Sequence, residues 1–280
     1  MTFSVTSFRC LLAAHLLGDF PLQTDAMVRA KNGGSGAPLI CHAAIHALLA
    51  ALFLLIFPPW YLLAAVLLTV FSTHWAIDRW FKPLVLPASI RDEADQWPWK
   101  TLVFALDQVL HVAVLGLLVV LAQCIAPAAT PWGLGETRAF DRSLVQLCGF
   151  IMAVWVGGVL IGYRLEPLVK ELSSLPGGFK EAGKLIGTLE RSLVYQFVII
   201  GQYSAIGFLL TAKSILRFGE IKSDADGRKQ PEYVLIGTLM SVAWAIAAGL
   251  LTLKVLSILP ADAARNSAAA STPPPSSLRP

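Results

Sequence analysis

The chain has 280 residues, of which 56% are hydrophobic and only 14% charged, with a net charge of +4 and a mean hydropathy of +0.65. So apolar a composition excludes a soluble globular protein and a disordered chain, and a positive balance spread over loops excludes a nucleic-acid binder. What remains is an all-α, polytopic transmembrane helix bundle whose first partner is the lipid bilayer.

A bilayer core of about 30 Å needs about 20 apolar residues per helix. Seven such runs follow one another along the chain: Phe8 to Phe20, Leu39 to Phe57, Tyr61 to Phe81, Thr101 to Ile125, Leu144 to Tyr163, Leu185 to Thr211 and Tyr233 to Ile258. The first is short and should end where Pro21 disfavours further helix. It lacks a basic stretch before it and a small-x-small site after it, so it reads as part of the mature protein and not as a signal peptide. The connector from Arg164 to Lys184 holds Pro167, Pro176 and the Gly177-Gly178 pair and should lie outside the hydrocarbon. Three regions result: a four-helix membrane domain over residues 1–130, a second membrane region of about three helices over 131–259, and a tail over 260–280 rich in Ala, Ser and Pro that reads as disordered.

Lys and Arg in short loops set the orientation. Arg29 and Lys31 follow the first helix and Lys82, Arg91 and Lys100 follow the third, whereas the Pro58-Pro59 turn has none, so the two basic loops should be cytoplasmic. The later helices are less simple. Lys170, Lys180 and Lys184 precede the sixth run, and Lys213, Arg217, Lys222, Arg228 and Lys229 follow it. A single crossing would place these clusters on opposite sides, so either one cluster breaks the rule or the helix count is off by one.

All 5 histidines lie before residue 130, and every one belongs to an i,i+4 pairing: His15 with Asp19, His42 with His46, His74 with Asp78, and Asp107 with His111. That spacing stacks two side chains on one helix face. In an up-and-down bundle the end of one helix lies level with the start of the next. The pairs alternate in that way, closing the first helix, opening the second, closing the third and opening the fourth. All of these groups can therefore meet in one layer at the cytoplasmic end. Imidazole and carboxylate are ligands for Zn, Mn or Fe, and so many donors exceed the three or four of a mononuclear zinc site, which points to two or more divalent ions. Some members should instead orient ligands through the other ring nitrogen. The competing reading is interhelical hydrogen bonding alone. An ionised Asp near hydrocarbon costs about 2.5–3.5 kcal/mol, and three of them call for strong compensation, most simply a cation.

Other groups carry less. Gln23 and Asp25 follow the first pair, and Asp92, Glu93 and Asp95 form an acidic loop that can be a solvated surface or a mouth to the site. Trp75, Trp80, Trp97 and Trp99 suit interfacial anchors. Lys213 and Arg217, four residues apart, suit headgroup snorkelling or contact with a substrate phosphate. Glycines at 158 and 162 and at 183 and 187 have the spacing of close helix packing. Cys10, Cys41, Cys124 and Cys148 form no CxxC pair and read as small hydrophobes.

The segments AHLLGDFPLQTD (Ala14 to Asp25) and IGTLERSLVYQFVIIGQYSAIGFLLTAKSILRF (Ile186 to Phe218), with THWAID and DQVLH between them, resemble the bacterial membrane family known as domain of unknown function 3307. The likeness covers most of residues 8–222 and implies a multi-pass protein of the cell inner membrane, without an activity. A looser likeness, in His and Asp pairs on short membrane helices, runs to membrane-bound metal-dependent hydrolases. Three functions fit these features: a metal-dependent hydrolase of a lipid or phosphoester, a metal-ion or proton-coupled transporter, and a non-catalytic scaffold.

Overall fold

A computed structural model of the protein describes residues 2–32, 36–55, 60–85, 98–125, 137–171, 178–218 and 229–259. Every regular element among them is helical: α1 (Thr2–Asp19), α2 (Asp25–Asn32), α3 (Gly36–Leu54), α4 (Trp60–Val85), α5 (Trp99–Ile125), α6 (Thr137–Ile151), α7 (Gly157–Glu171), α8 (Gly178–Ile199), α9 (Tyr203–Phe218) and α10 (Lys229–Ile258). A π-turn over Met152–Val156 joins α6 to α7 in one continuous rod. Four helices among the described residues are long and apolar enough to cross a membrane: Gly36–Leu54, Trp99–Ile125, Arg138–Leu168 and Leu235–Ile258. The seven expected runs are thus four such helices, with shorter or more charged helices between them. The tail over 260–280 and the acidic loop with Asp92, Glu93, Asp95 and Trp97 lie outside the described residues.

Helix α1 stops at Asp19, just before Pro21. Thr24 then starts the unexpected short helix α2: its Oγ1 accepts the Met27 N–H at 3.3 Å, and Asp25 places a negative charge on the first turn. Helices α1, α3, α4 and α5 pack around a core that includes Cys10, Ala13, Ala14, Ala50, Val70 and Leu115. The small Cys10, Ala13 and Ala14 let α3 approach α1 closely. Hydroxyls in the apolar helices are satisfied locally: Thr69, Thr73, Thr188, Ser192, Thr211 and Thr252 each donate to the carbonyl four residues back.

The second part is built around the long α6–α7 rod, against which α8 and α10 pack, and α1 touches α6 to join the two parts. A π-turn leaves carbonyls without their ordinary partners. Two carbonyls of the turn accept from neighbouring helices: Arg191 Nε donates to Val154 O at 2.9 Å, and Trp244 Nε1 donates to Met152 O at 2.9 Å, which also accepts the Gly157 N–H. The expected connector from Arg164 is largely helix. Pro167 sits in the last turns of α7, where a missing N–H costs one bond, and Glu166 pairs with Lys100 at 2.9 Å while Tyr163 lies under the Lys100 ammonium at 4.9 Å.

The expected sixth span is two helices. Gly201 has φ 74°, its N–H reaches Val198 O at 3.1 Å, and the Gln202 N–H reaches Phe197 O at 2.8 Å. This pair of bonds is a Schellman C-cap, which terminates α8 at a residue that only glycine occupies without strain. Helix α9 then folds back along α8, so that Lys213 Nζ meets the Glu190 carboxylate at 2.7 Å. The turn is level with the end of the bundle away from the histidines: Tyr195 bonds Gln146 O, and the nearby Arg9–Asp141 pair is also at that end. The hairpin removes the need for a single crossing between the two basic clusters, since it brings the C-terminal half of α9, with Lys213, back toward the end from which α8 starts, with Lys184.

The glycine pairs at 158 and 162 and at 183 and 187 do not bring helix backbones into contact. A methyl group at Gly158 or Gly187 would meet the Arg191 guanidinium, and at Gly162 or Gly183 it would meet nothing within 4 Å. A buried arginine occupies the space that helix contact would need. The hairpin makes a topological prediction: in a chain without its native cysteines, Lys184→Cys and Arg217→Cys should both react with a membrane-impermeant thiol reagent from one side. Labelling from opposite sides would restore a single crossing.

Candidate metal centre

The ends of α1 and α4 and the starts of α3 and α5 bring the five imidazoles into one layer, each no more than 4% exposed. Ring centroids are 3.6 Å apart for His46 and His74, 4.4 Å for His74 and His111, 4.7 Å for His42 and His46, and 5.2 Å for His15 and His111. Such crowding of one side-chain type needs a shared partner, and Asp19 is that partner. Its Oδ1 lies 3.0 Å from His42 Nε2, 3.1 Å from His46 Nε2 and 3.6 Å from His74 Nε2. Its Oδ2 accepts the Gln108 amide at 2.9 Å and lies 3.5 Å from His15 Nε2. One carboxylate at the end of α1 therefore ties together α3, α4 and α5.

A carboxylate only accepts, so the His42 and His46 nitrogens bonded to Asp19 carry protons in this arrangement. His111 differs. Its Nδ1–H donates to the Asp107 carbonyl at 2.9 Å, which leaves Nε2 with a bare lone pair. That Nε2 and the Nε2 of His74 are buried without a hydrogen-bond partner among the described residues. His74 Nε2 has the Asp19 and Asp78 carboxylates at 3.6 Å, whereas the His111 lone pair is an orphaned buried acceptor, which is costly and which a cation would satisfy.

Two overlapping groups of donors can hold a metal ion: Asp19, His42, His46 and His74, and His74, Asp78 and His111, with the ligand atoms of each group all within 4.8 Å of one another. Four ligands placed tetrahedrally at 2.0–2.2 Å are about 3.3–3.6 Å apart, close to the spacings around Asp19 Oδ1. The donor set and its spacing could hold a metal ion. On the hydrocarbon side, His15, His46, His74 and His111 roof a narrow cavity floored by side chains such as Leu11 and Val70.

Two of the eight expected ligands stand outside both groups. His15 Nε2 faces the Gln108 carbonyl oxygen at 3.3 Å and the far oxygen of Asp19, a supporting position. Asp107 is more open, with its side chain 25% exposed and its Oδ2 3.7 Å from His111 Nδ1. The i,i+4 spacing placed Asp107 beside His111 as expected, but the hydrogen bond runs through its backbone carbonyl. Gln23 lies 3.2 Å from His42 Nε2, whereas Asp25 turns to an exposed pair with Lys184 at 3.0 Å. Lys213 pairs with Glu190 at 2.7 Å, and the Arg217 side chain lies outside the described residues.

Gln108 and Gly18 were not anticipated. Gln108 could have been noticed as a polar residue one turn before His111 on an apolar helix. Gly18 left no chemical signal: a methyl group there would lie 2.5–2.9 Å from the His46 ring, so the glycine is what admits that imidazole against α1.

Residues 8–132 match the model of the family described as protein of unknown function (DUF3307), so this part of the chain is similar to that family. The match takes in α1 to α5 and every expected ligand but stops before the Ile186 to Phe218 stretch. Comparisons with curated proteins and with solved structures give no match, and the likeness to metal-dependent hydrolases finds no support there. Gly18→Ala tests the packing of the layer directly: it should destabilise the protein by about 1–3 kcal/mol in a thermal melt, as overpacking does, whereas Gly36→Ala, in open space, should not.

Proposed function

We propose that the layer is a divalent-metal centre, and that the protein is a metal-dependent hydrolase of a lipid or lipid-linked phosphoester at the cytoplasmic face of the bacterial inner membrane. The observation that carries this reading is the convergence of buried imidazoles on Asp19, with His74 and His111 presenting unpartnered Nε2 atoms to the same space. A purely structural hydrogen-bond network would have no use for the bare lone pair on His111 Nε2.

His74 belongs to both groups, and one Nε2 serves one ion at a time. The group that lacks it keeps fewer protein ligands and an open position, which is the difference between a catalytic and a structural site. An ion there would lower the pKa of bound water to near neutrality. Within the chain, Asp19 would fix the geometry of His42 and His46, Gln108 would hold the second oxygen of Asp19, and the Asp107 carbonyl would hold His111 in its ligating tautomer. The reaction adds the oxygen of water to phosphorus or an acyl carbon, and the ester oxygen leaves with a proton.

Placement at the ends of the helices favours this reading over transport, in which ions bind near the bilayer midplane on broken helices. An apolar core of Cys10, Leu11, Val70 and Leu115 lies beneath the layer. A lipid headgroup is the substrate that reaches such a depth, and the exposed Trp80 and Trp99 suit the interfacial region there.

Elemental analysis of purified protein should find bound divalent metal, reduced at least about tenfold in affinity by Asp19→Asn, because ligand and supporting changes cost 10–100-fold. Asp107→Asn should change affinity far less, since its carboxylate is outside both groups. Metal content unaltered by the His42→Ala, His46→Ala double variant would reject the centre; metal bound without turnover of any phospholipid in detergent, removable by a chelator, would reject the hydrolase and retain the centre.

A further inference from the structure

The second part of the molecule holds a cation that the metal centre does not use. Arg191 is 6% exposed and lies between the π-turn, α8 and α10. Its guanidinium is held by neutral acceptors: Val154 O at 2.9 Å, Ser241 Oγ at 3.3 Å and, at 3.5 Å, Thr188 Oγ1. The adjacent Glu190 spends its carboxylate on Lys213 at 2.7 Å. Among the described residues no carboxylate forms an ion pair with Arg191; Glu190 beside it attracts the guanidinium but is itself paired with Lys213. Uncompensated charge in an apolar bundle is expensive and marks a functional position.

The glycines give that charge an approach. Gly158 on α7 and Gly187 on α8 face the two terminal guanidinium nitrogens, at 2.8 and 3.1 Å from where their Cβ atoms would be. One turn nearer the histidine end, Gly162 and Gly183 are exposed and have nothing within 4 Å on the same faces. Helix α8 packs closely on the π-turn and only lightly on α7, so the two helices diverge toward that end. Two glycine backbones thus flank the guanidinium, with open space one turn away, a geometry that would admit a slot between α7 and α8.

We infer that this slot binds a phosphate-class oxyanion, with Arg191 as the charged contact. A phosphodiester, with a single negative charge, balances the single positive one, and guanidinium matches phosphate oxygens in a fork geometry. The site shares no residue with the metal centre. The phosphate can come from a lipid headgroup or from free phosphate in solution.

The test uses the full chain in a neutral detergent and follows thermal stability and binding with dioctanoyl phosphatidylglycerol, inorganic phosphate and, as an uncharged control, dioctanoylglycerol. The wild type should be stabilised by a phosphate-bearing probe and not by dioctanoylglycerol. Stabilisation by the lipid alone identifies a headgroup, and equal stabilisation by inorganic phosphate identifies a free anion. Arg191→Gln should weaken binding about 10- to 100-fold, the loss expected for one charge-assisted contact. Gly183→Leu, which fills open space without touching Arg191, should melt as the wild type does without a probe yet lose the response, so the slot stays testable if Arg191→Gln fails to fold. The His42→Ala, His46→Ala double variant should keep the response, which separates this site from the metal centre. No response in the wild type, or an undiminished response in Gly183→Leu, overturns the inference.

Discussion

A carboxylate at the end of an apolar helix has to be surrounded by donors, and α1, α3, α4 and α5 are arranged to meet that demand around Asp19. Three neighbouring helices each supply a group to it: His42 and His46 from α3, His74 from α4 and Gln108 from α5. The interactions are mutually dependent. Without Asp19 the imidazoles would be packed ring against ring with no acceptor; without Gly18 the His46 ring could not come close enough to use it. Polar convergence and helix packing are one constraint here, because the small residues along α1 bring the backbones close enough for the side chains at its end to meet.

The same physics governs the second part with opposite sign. There the buried charge is a cation, and the π-turn supplies carbonyls that the α-helical ladder would otherwise have occupied. Arg191 and Trp244 donate to Val154 O and Met152 O of the turn and so hold α8 and α10 against the long rod. The π-turn also presents Val156 and Trp155 to Leu16 and Phe20 on α1, beside the Asp19 layer. The rod is therefore the physical connection between the two polar sites.

How legible was this from the chain? The membrane class, the helical class and the gathering of histidines at one end followed from composition and from i,i+4 spacing, which survive any detail of packing. The break at Gly201 did not, since the apolar run continues through it and a single glycine is a weak signal beside so much hydrophobic sequence. The conflict between basic clusters was the legible trace of it. Likewise, the spacing of the glycine pairs was visible but not what faced them, because spacing does not show that an arginine from the adjacent helix enters the gap.

The sequence by itself determined that His and Asp pairs occupy alternate helix ends, since periodicity and the order of spans fix both face and depth. Only the tertiary structure decided which members share an ion's reach. His15 and Asp107 have the same spacing as their neighbours, yet the rotation of α1 and α5 turns one toward Gln108 and leaves the other at the rim. Spacing within a helix places a side chain on a face; the angle at which that face meets three others is set by packing across the whole bundle.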